Sequence, residues 1–410
     1  MKNLLLLAGF LLAIPVCVMA TDRFVDNTLS SGNGTTTFNS IASAVAASDI
    51  NDRIIIAPGT YSEPQLLLPH ALTLMPSEDA GIVELNANVV FTPGDNYRYE
   101  VFNLELGQYQ YLYGASGNQS ARTVVHFIDC QAYNWNFNSN GWDIIVISSI
   151  ADNTITYRHG DIVRCDVSNQ ISLNDEAGPD PYDRIQSIIQ CDATEIRLRS
   201  TQAQYRVANN YLQRLFVYAW NSSESITNDF LNNQFKTDAN IGFATQNIPR
   251  YNIRFINNTF DGGFYRCDGF IQQTGQPTGN SNFSSSGTPG AGCDSGPLGL
   301  DCNAPGYFEW SFNDQAGQFN CTPNSTQPLV LNHVFGNEVP SNAIDGGKPS
   351  HEFYDTDLSV NDRGRDGGTW GSANFPAELD SKAYIYTLDM PADLFPTFPV
   401  NVSARSYQRH

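Results

Sequence analysis

Three triplets with Arg or Gln before a cysteine place an aspartate directly after it: Arg164-Cys165-Asp166, Gln190-Cys191-Asp192 and Arg266-Cys267-Asp268. Successive side chains of a strand point to opposite faces, so an inward cysteine turns its two flanking residues outward. If Cys165 and Cys191 lie in register on successive coils, Asp166 and Asp192 stand one strand spacing apart, roughly 5 Å. Two carboxylates at that distance suit retaining glycoside hydrolysis, one as nucleophile and one as acid. They suit calcium equally well. The competing reading is an outward polar ladder neutralised by Arg164, the commoner use of such residues.

A second pair is cationic. Lys236 and Arg254 flank Phe235 and Phe255 in neighbouring copies of a repeat and should face solvent. Eliminating a uronate needs a base for the C5 proton and positive charge for the carboxylate, which a Lys/Arg pair supplies. They occupy different strand offsets, however, and surface cations are usually just solvated. Trp135, Trp142 and Trp220, with Tyr205, Tyr211 and Tyr218, are candidate sugar-stacking platforms, although core packing accounts for large aromatics as well. His159 and His333 have no second His or Cys at ligand spacing, so no transition-metal site is expected.

Those residues must be held by something, and the first stretch sets the compartment. Lys2 precedes an apolar run from Leu4 to Val18, and Val18-Met19-Ala20 ends it with a cleavage pattern. We expect a secretory signal peptide cut after Ala20 and a mature chain that is secreted or held at the cell surface, with no membrane span. Export permits disulfides. Of the later cysteines, Cys130, Cys165 and Cys191 sit in apolar runs and read as core thiols. The other four allow three pairings, of which Cys293–Cys302 with Cys267–Cys321 is the expected one.

The net charge is −20, but 11 Lys+Arg face 12 Asp+Glu between Arg158 and Arg266, so the flanks carry the excess. An acidic exterior excludes nucleic acid as a partner, because phosphate binding needs a basic footprint. With 41% hydrophobic and 12% aromatic residues, core material is ample.

Short alternating runs recur: Phe127-Ile128-Asp129-Cys130, Ile162-Val163-Arg164-Cys165 and Ile188-Ile189-Gln190-Cys191. A second form carries Asn209-Asn210, Asn232-Asn233 and Asn257-Asn258, 23 and 25 residues apart. That is the contour of one three-sided coil, so the chain reads as a solenoid. Asn tolerates left-handed backbone angles, and its amide can bond the Asn stacked above. The aromatic following each pair is expected inward. No Thr-x-Thr ladder forms beyond the isolated Thr154-Ile155-Thr156, which excludes a flat ice-binding face.

The mature N-terminus reads as strand Phe24–Asp26, an amphipathic helix over 38–48, strand Ile54–Ala57 and the turn Pro58-Gly59-Thr60-Tyr61. Such a helix would cover the open end of the first coil. This opening of about forty residues resembles that of the pectate-lyase-like superfamily, whose members often start with a short strand, a capping helix and a PGTY turn. The resemblance implies an all-β, right-handed parallel β-helix with a short N-terminal capping helix. It also implies a choice among polysaccharide lyases, glycoside hydrolases, other glycan enzymes and non-enzymatic adhesins. The chain lacks an Asp-Asp doublet and a Gly-His-Gly of the polygalacturonase type, and an Arg-x-Pro-x-x-Arg of the pectate lyase type.

The expected organisation is a signal peptide over 1–20, the cap and first coil over 21–61, coils over 62–271 and a Gly/Ser/Cys-rich insertion over 272–327. A last coil and C-terminal cap over 328–375 and a strand or tail over 376–410 complete it. Asp355-Thr356-Asp357 and Asn361-Asp362-Arg363-Gly364-Arg365-Asp366-Gly367-Gly368 resemble the closing segment of bacterial surface β-helix proteins. Its oxygen-rich spacing invites calcium, but it lacks the Gly and bidentate Glu at EF-hand offsets, and its arginines favour a salt-bridged cap. The expected function is binding or processing of polysaccharide, with a non-catalytic surface rod as the alternative.

Overall fold

The computed structural model describes residues 20–77, 82–116, 122–139, 141–174, 185–198, 204–217 and 228–235 continuously. Beyond these it describes 239–243, 251–260, 264–268, 293–295, 306–311, 314–315, 329–332, 383–389 and 403–408, with residues 360, 365 and 367. The expected signal peptide before Ala20 lies outside the described residues, as do Lys236, Trp220, Tyr218, Cys302, Cys321 and His333. Among the described residues no helix is long and apolar enough to cross a membrane.

Two fourteen-stranded sheets dominate, and the chain visits them in alternation. Every register in them is parallel: Thr123–Ile128 pairs with Trp142–Ile147 in the first sheet, Ile150–Tyr157 with Asp166–Leu173 in the second. Parallel neighbours require a crossover between them, here the opposite sheet, which makes the molecule a solenoid of stacked coils. In the early coils the second sheet is split into two short strands per turn, such as Gly59–Ser62 and Leu66–Leu68. From Gln131–Phe137 onward these fuse into one long strand across a register shift between Ala132 and Asn134.

Alternation dictates the core. Val125, Phe127, Ile144, Val146, Ile155 and Ile171 point between the sheets and are fully buried. Phe127 meets Trp135 edge-to-face at 4.7 Å, and Phe137 meets Trp142 at 5.5 Å. Burial of such rings is the main stabilising term, each worth about 2–3 kcal/mol from area alone. Gly160 is needed where it is: its φ is +149°, and a Cβ there would lie 2.0 Å from the Ile144 carbonyl oxygen.

The expected N-terminal order holds, with strands Asp22–Val25 and Arg53–Ile56 around a helix confined to Ile41–Ala46. Ser40 caps the helix by accepting from the Ser43 N–H, and Ile41, Ala44 and Val45 join the same core as Val25 and Ile54. Beside it, the buried Asp52 carboxylate accepts from Arg23 Nε at 2.7 Å and from the backbone N–H groups of Thr21 and Asp49. Burial pushes its pKa up, but those donors outweigh burial and hold it below the usual carboxylate value. A depressed pKa adds stability above the unfolded carboxylate's titration and loses it as pH falls through the folded value. Asp52→Asn is therefore expected to cost about 1–3 kcal/mol at neutral pH. Chemical unfolding against pH checks this: the gap between wild type and variant should close below about pH 4.

One corner, where the first sheet hands over to the second, is built the same way in coil after coil. Asn103, Asp129, Ser148, Arg164, Gln190, Asn209, Asn232 and Asn257 all have φ between +45° and +59°. Each is followed by an inward residue and then an outward one at the start of the next strand. The left-handed residue donates its N–H to the coil above, as Arg164 does to the Ile189 carbonyl at 2.9 Å. The outward residue donates to the coil below, as Asp192 does to the Cys165 carbonyl at 3.0 Å. The bend thus loses no ladder bonds, which is why non-glycine residues tolerate the angle there.

The inward column of this corner is Leu104, Cys130, Ser149, Cys165, Cys191, Asn210, Asn233 and Asn258. The asparagine stack expected from the repeat is present: Asn210 Nδ2 donates to Asn233 Oδ1 at 3.0 Å, and Asn233 Nδ2 to Asn258 Oδ1 at 2.9 Å. Phe235 is inward and fully buried as expected, but Tyr211 is not. It pairs with Gln234 in the outward column, because only one residue separates it from the left-handed Asn209 while two separate Phe235 from Asn232.

Candidate functional site

The register places Asp166 directly opposite Asp192, with Ile150 and Tyr211 on either side. Adjacent parallel strands put those two Cα atoms about 4.8 Å apart. Both side chains face solvent, Asp192 with half its area exposed. The third triplet does not join them. Phe264–Asp268 belongs to a separate three-stranded sheet with Ala239–Phe243 and Cys293–Ser295, so Asp268 is off this column.

The two aspartates line a cleft of about 490 Å³ that runs along the corner over five coils. Its walls are the left-handed column (Asn103, Asp129, Ser148, Arg164, Gln190) and the outward column (Glu105, Gln131, Ile150, Asp166, Asp192). Four carboxylates and two guanidinium groups, Arg164 and Arg365, therefore share one groove. Asp129 follows from the same signal as the aspartate pair, since Asp129-Cys130 fills the places of Arg164-Cys165. Glu105 has no such local mark, because Leu104 replaces the cysteine.

Arg365 arrives from far along the chain. Asn209 Nδ2 donates to the backbone carbonyls of Arg365 at 2.8 Å and Gly367 at 2.5 Å. The Arg365 guanidinium then lies 4.0 Å from the Asp192 carboxylate and 5.8 Å from the centre of the Tyr211 ring. Two residues of the segment expected to close the solenoid thus sit beside its central coils, at one end of the groove.

Other expected site residues fall elsewhere. Arg254 is on the first sheet, opposite Asp229, and holds that carboxylate through two bonds of 2.7 and 2.9 Å. Its fork is committed to a buried partner, a geometry that fixes a sheet and leaves a uronate carboxylate little to bind. Trp135 and Trp142 are fully buried, as is nearly all of Tyr205, so the sugar-stacking role expected of these rings is corrected: they have no face in solvent. The Trp142 indole N–H is bound to the Ala115 carbonyl at 3.0 Å. His159 is buried on the first sheet. Among the described residues no three His, Cys, Asp or Glu side chains group to hold a metal ion.

Behind the groove, Cys130, Cys165 and Cys191 are free, buried thiols. Burial pushes the Cys130 thiol up to about 12. Burial and the neighbouring Cys191 thiol push Cys165 up as well. Thiolates are the reactive form. An alkylating reagent at neutral pH is therefore expected to leave Cys130 and Cys165 unmodified in the native protein and to label both in denaturant, which peptide mass spectrometry reads directly. The pairings expected for Cys293–Cys302 and Cys267–Cys321 each include a residue outside the described set, while the antiparallel register sets Cys267 opposite Cys293.

No protein-family model matches the sequence, and comparisons with curated proteins and with solved structures gave no match.

Proposed function

We propose that the chain is an exported right-handed parallel β-helix, closed at its N-terminal end by the Ile41–Ala46 helix, that binds a polysaccharide along the corner groove and hydrolyses it. Right-handed crossovers are the rule for parallel strands. The observation that carries the function is the in-register pair Asp166 and Asp192, side by side on neighbouring strands and lining an open cleft. A groove of five coils takes an extended chain, and its walls of amides, hydroxyl and carboxylates match a polyhydroxyl ligand.

Asp192 has the Arg365 guanidinium at 4.0 Å and is assigned as the nucleophile; Asp166 is assigned as the acid. Asp192 forms a bond to the anomeric carbon as the glycosidic carbon–oxygen bond breaks, and Asp166 gives its proton to the departing oxygen. Water then displaces Asp192 from the sugar and returns a proton to Asp166. The lyase alternative is less well supported, because Arg254 is already held by Asp229.

The test is incubation of the purified protein with polygalacturonate, alginate, chondroitin, xylan and β-glucan. New reducing ends and the ultraviolet absorbance of an unsaturated uronate are followed in parallel. Reducing ends without absorbance are expected. Absorbance would replace hydrolysis by elimination, and retention of a glycan with silence in both channels would select the non-catalytic surface rod.

A further inference from the structure

We infer that Tyr109, Tyr111 and Tyr133 form a second sugar-binding platform, a stacking surface for pyranose rings of a glycan chain that leaves the groove across the second sheet. The inference rests on the reading of the groove as a glycan site. Tyr133 is the middle ring: Tyr109 lies 5.1 Å from it and Tyr111 6.1 Å, at interplanar angles of 70° and 80°. Tyr109 is 59% exposed, close to the largest exposure of any large apolar side chain in the described residues, and Tyr111 is 39% exposed. An edge-to-face contact covers a face of only one ring of each pair, and the exposed remainder is a surface that the C–H bonds of a sugar can pack against.

The position singles these rings out. Tyr111 occupies an outward column whose next members are Asn134, Thr154 and Gln170, all polar, so no fold requirement puts an aromatic there. Tyr109 has φ +64°, an angle that side chains of its size rarely adopt, and it holds a large ring in solvent at that cost. The patch is also continuous with the groove. Tyr133 follows the groove residue Gln131 by two positions on the same strand, about 7 Å along it. Tyr109 follows Glu105 by four.

Polar groups lie close to the rings. Asn88 Oδ1 accepts from the Tyr111 backbone N–H at 2.9 Å, and Gln65 donates to the Tyr113 hydroxyl at 2.5 Å. Exposed phenol rings beside polar groups fit a chain of alternating C–H faces and hydroxyls better than a purely apolar partner.

Affinity electrophoresis in gels containing each glycan of the panel tests this with Tyr111→Ala, Tyr109→Asn (which keeps an αL-tolerant residue) and the double variant. Tyr111→Phe is the conservative control. The double variant is expected to bind a long chain about 10-fold more weakly, from roughly 0.7 kcal/mol per ring. Cleavage of disaccharide-sized substrates should be unchanged, and Tyr111→Phe should bind like wild type. Unchanged retention of the double variant on a glycan that wild type binds would overturn the platform while leaving the groove intact. Retention that depends on the tyrosines but not on Asp166 would support the platform and remove the groove's role. No retention of wild type on any glycan, or a dimer in sedimentation velocity that dissociates on losing the tyrosines, would overturn the sugar assignment.

Discussion

Asp166→Asn and Asp192→Asn are each expected to slow glycan cleavage by about 10²–10⁴-fold, the range of a lost general acid or nucleophile. The substitution is nearly isosteric, and both side chains face solvent, so neither variant should unfold. Their backbone N–H groups, which do hold the coils together, are untouched: Asp166 donates to Ser149 and Asp192 to Cys165. Combining the two should cost little more than either alone, since the pair acts as a unit. Two outcomes count against the pair: cleavage at the wild-type rate by either variant, or loss that tracks a lowered unfolding midpoint. Arg365→Ala should act on Asp192 rather than on the fold and give a partial loss.

Asn233→Ala carries the largest expected effect on stability. Its carboxamide oxygen accepts from the backbone N–H of Asn210 at 3.1 Å and from Asn210 Nδ2 at 3.0 Å. Its amide group donates to the Val207 carbonyl and to Asn258 Oδ1, both at 2.9 Å. Alanine removes four bonds from a fully buried stack: the Asn210 N–H and the Val207 carbonyl lose the partner that Asn233 supplied, while Asn210 Nδ2 keeps the Ile188 carbonyl and Asn258 Oδ1 keeps the backbone N–H of residue 233. Each buried group left without a partner costs about 1–3 kcal/mol. With relaxation, a loss of about 4 kcal/mol is expected, on the order of a third to a half of a typical folding free energy. Coils unfold as a quasi-one-dimensional array, so hydrogen exchange should show the loss concentrated in the coils around Asn233. A change below about 1 kcal/mol would mean that the stack is not what fixes this corner.

The asparagine stack was legible because Asn is one of the few residues suited both to a left-handed bend and to an amide ladder, and because it repeats. The same corner was hidden in earlier coils, where Arg164, Gln190 and Asp129 take the bend. Nothing in those side chains signals a positive φ; the ladder bonds on either side impose it. The Asp166–Asp192 pairing was legible from matched Cys-Asp positions even though the coils vary. Sixteen residues separate Ile150 from Asp166 and twenty-six separate Asp166 from Asp192, all in one register column. That same variation hid Glu105 and the pairing of Arg254 with Asp229, which only the register shows. Platform and core were both open for Trp135, and the structure selects the core: past the Ala132/Asn134 register shift its side chain is inward and fully buried. Arg365 could not be placed at all from sequence, because its anchor, Asn209, lies 156 residues away.

The most direct test of the groove as the glycan site is carboxylate footprinting. A carbodiimide couples a small amine to exposed Asp and Glu, and mass spectrometry reads each residue with and without the glycan that the protein retains or cleaves. Asp166, Asp192 and Glu105 are predicted to lose labelling in saturating glycan, while Asp49, far from the groove with a side chain 78% exposed, should label equally in both. Equal labelling of Asp166 and Asp192 with glycan bound would contradict the account and move the binding surface off the corner.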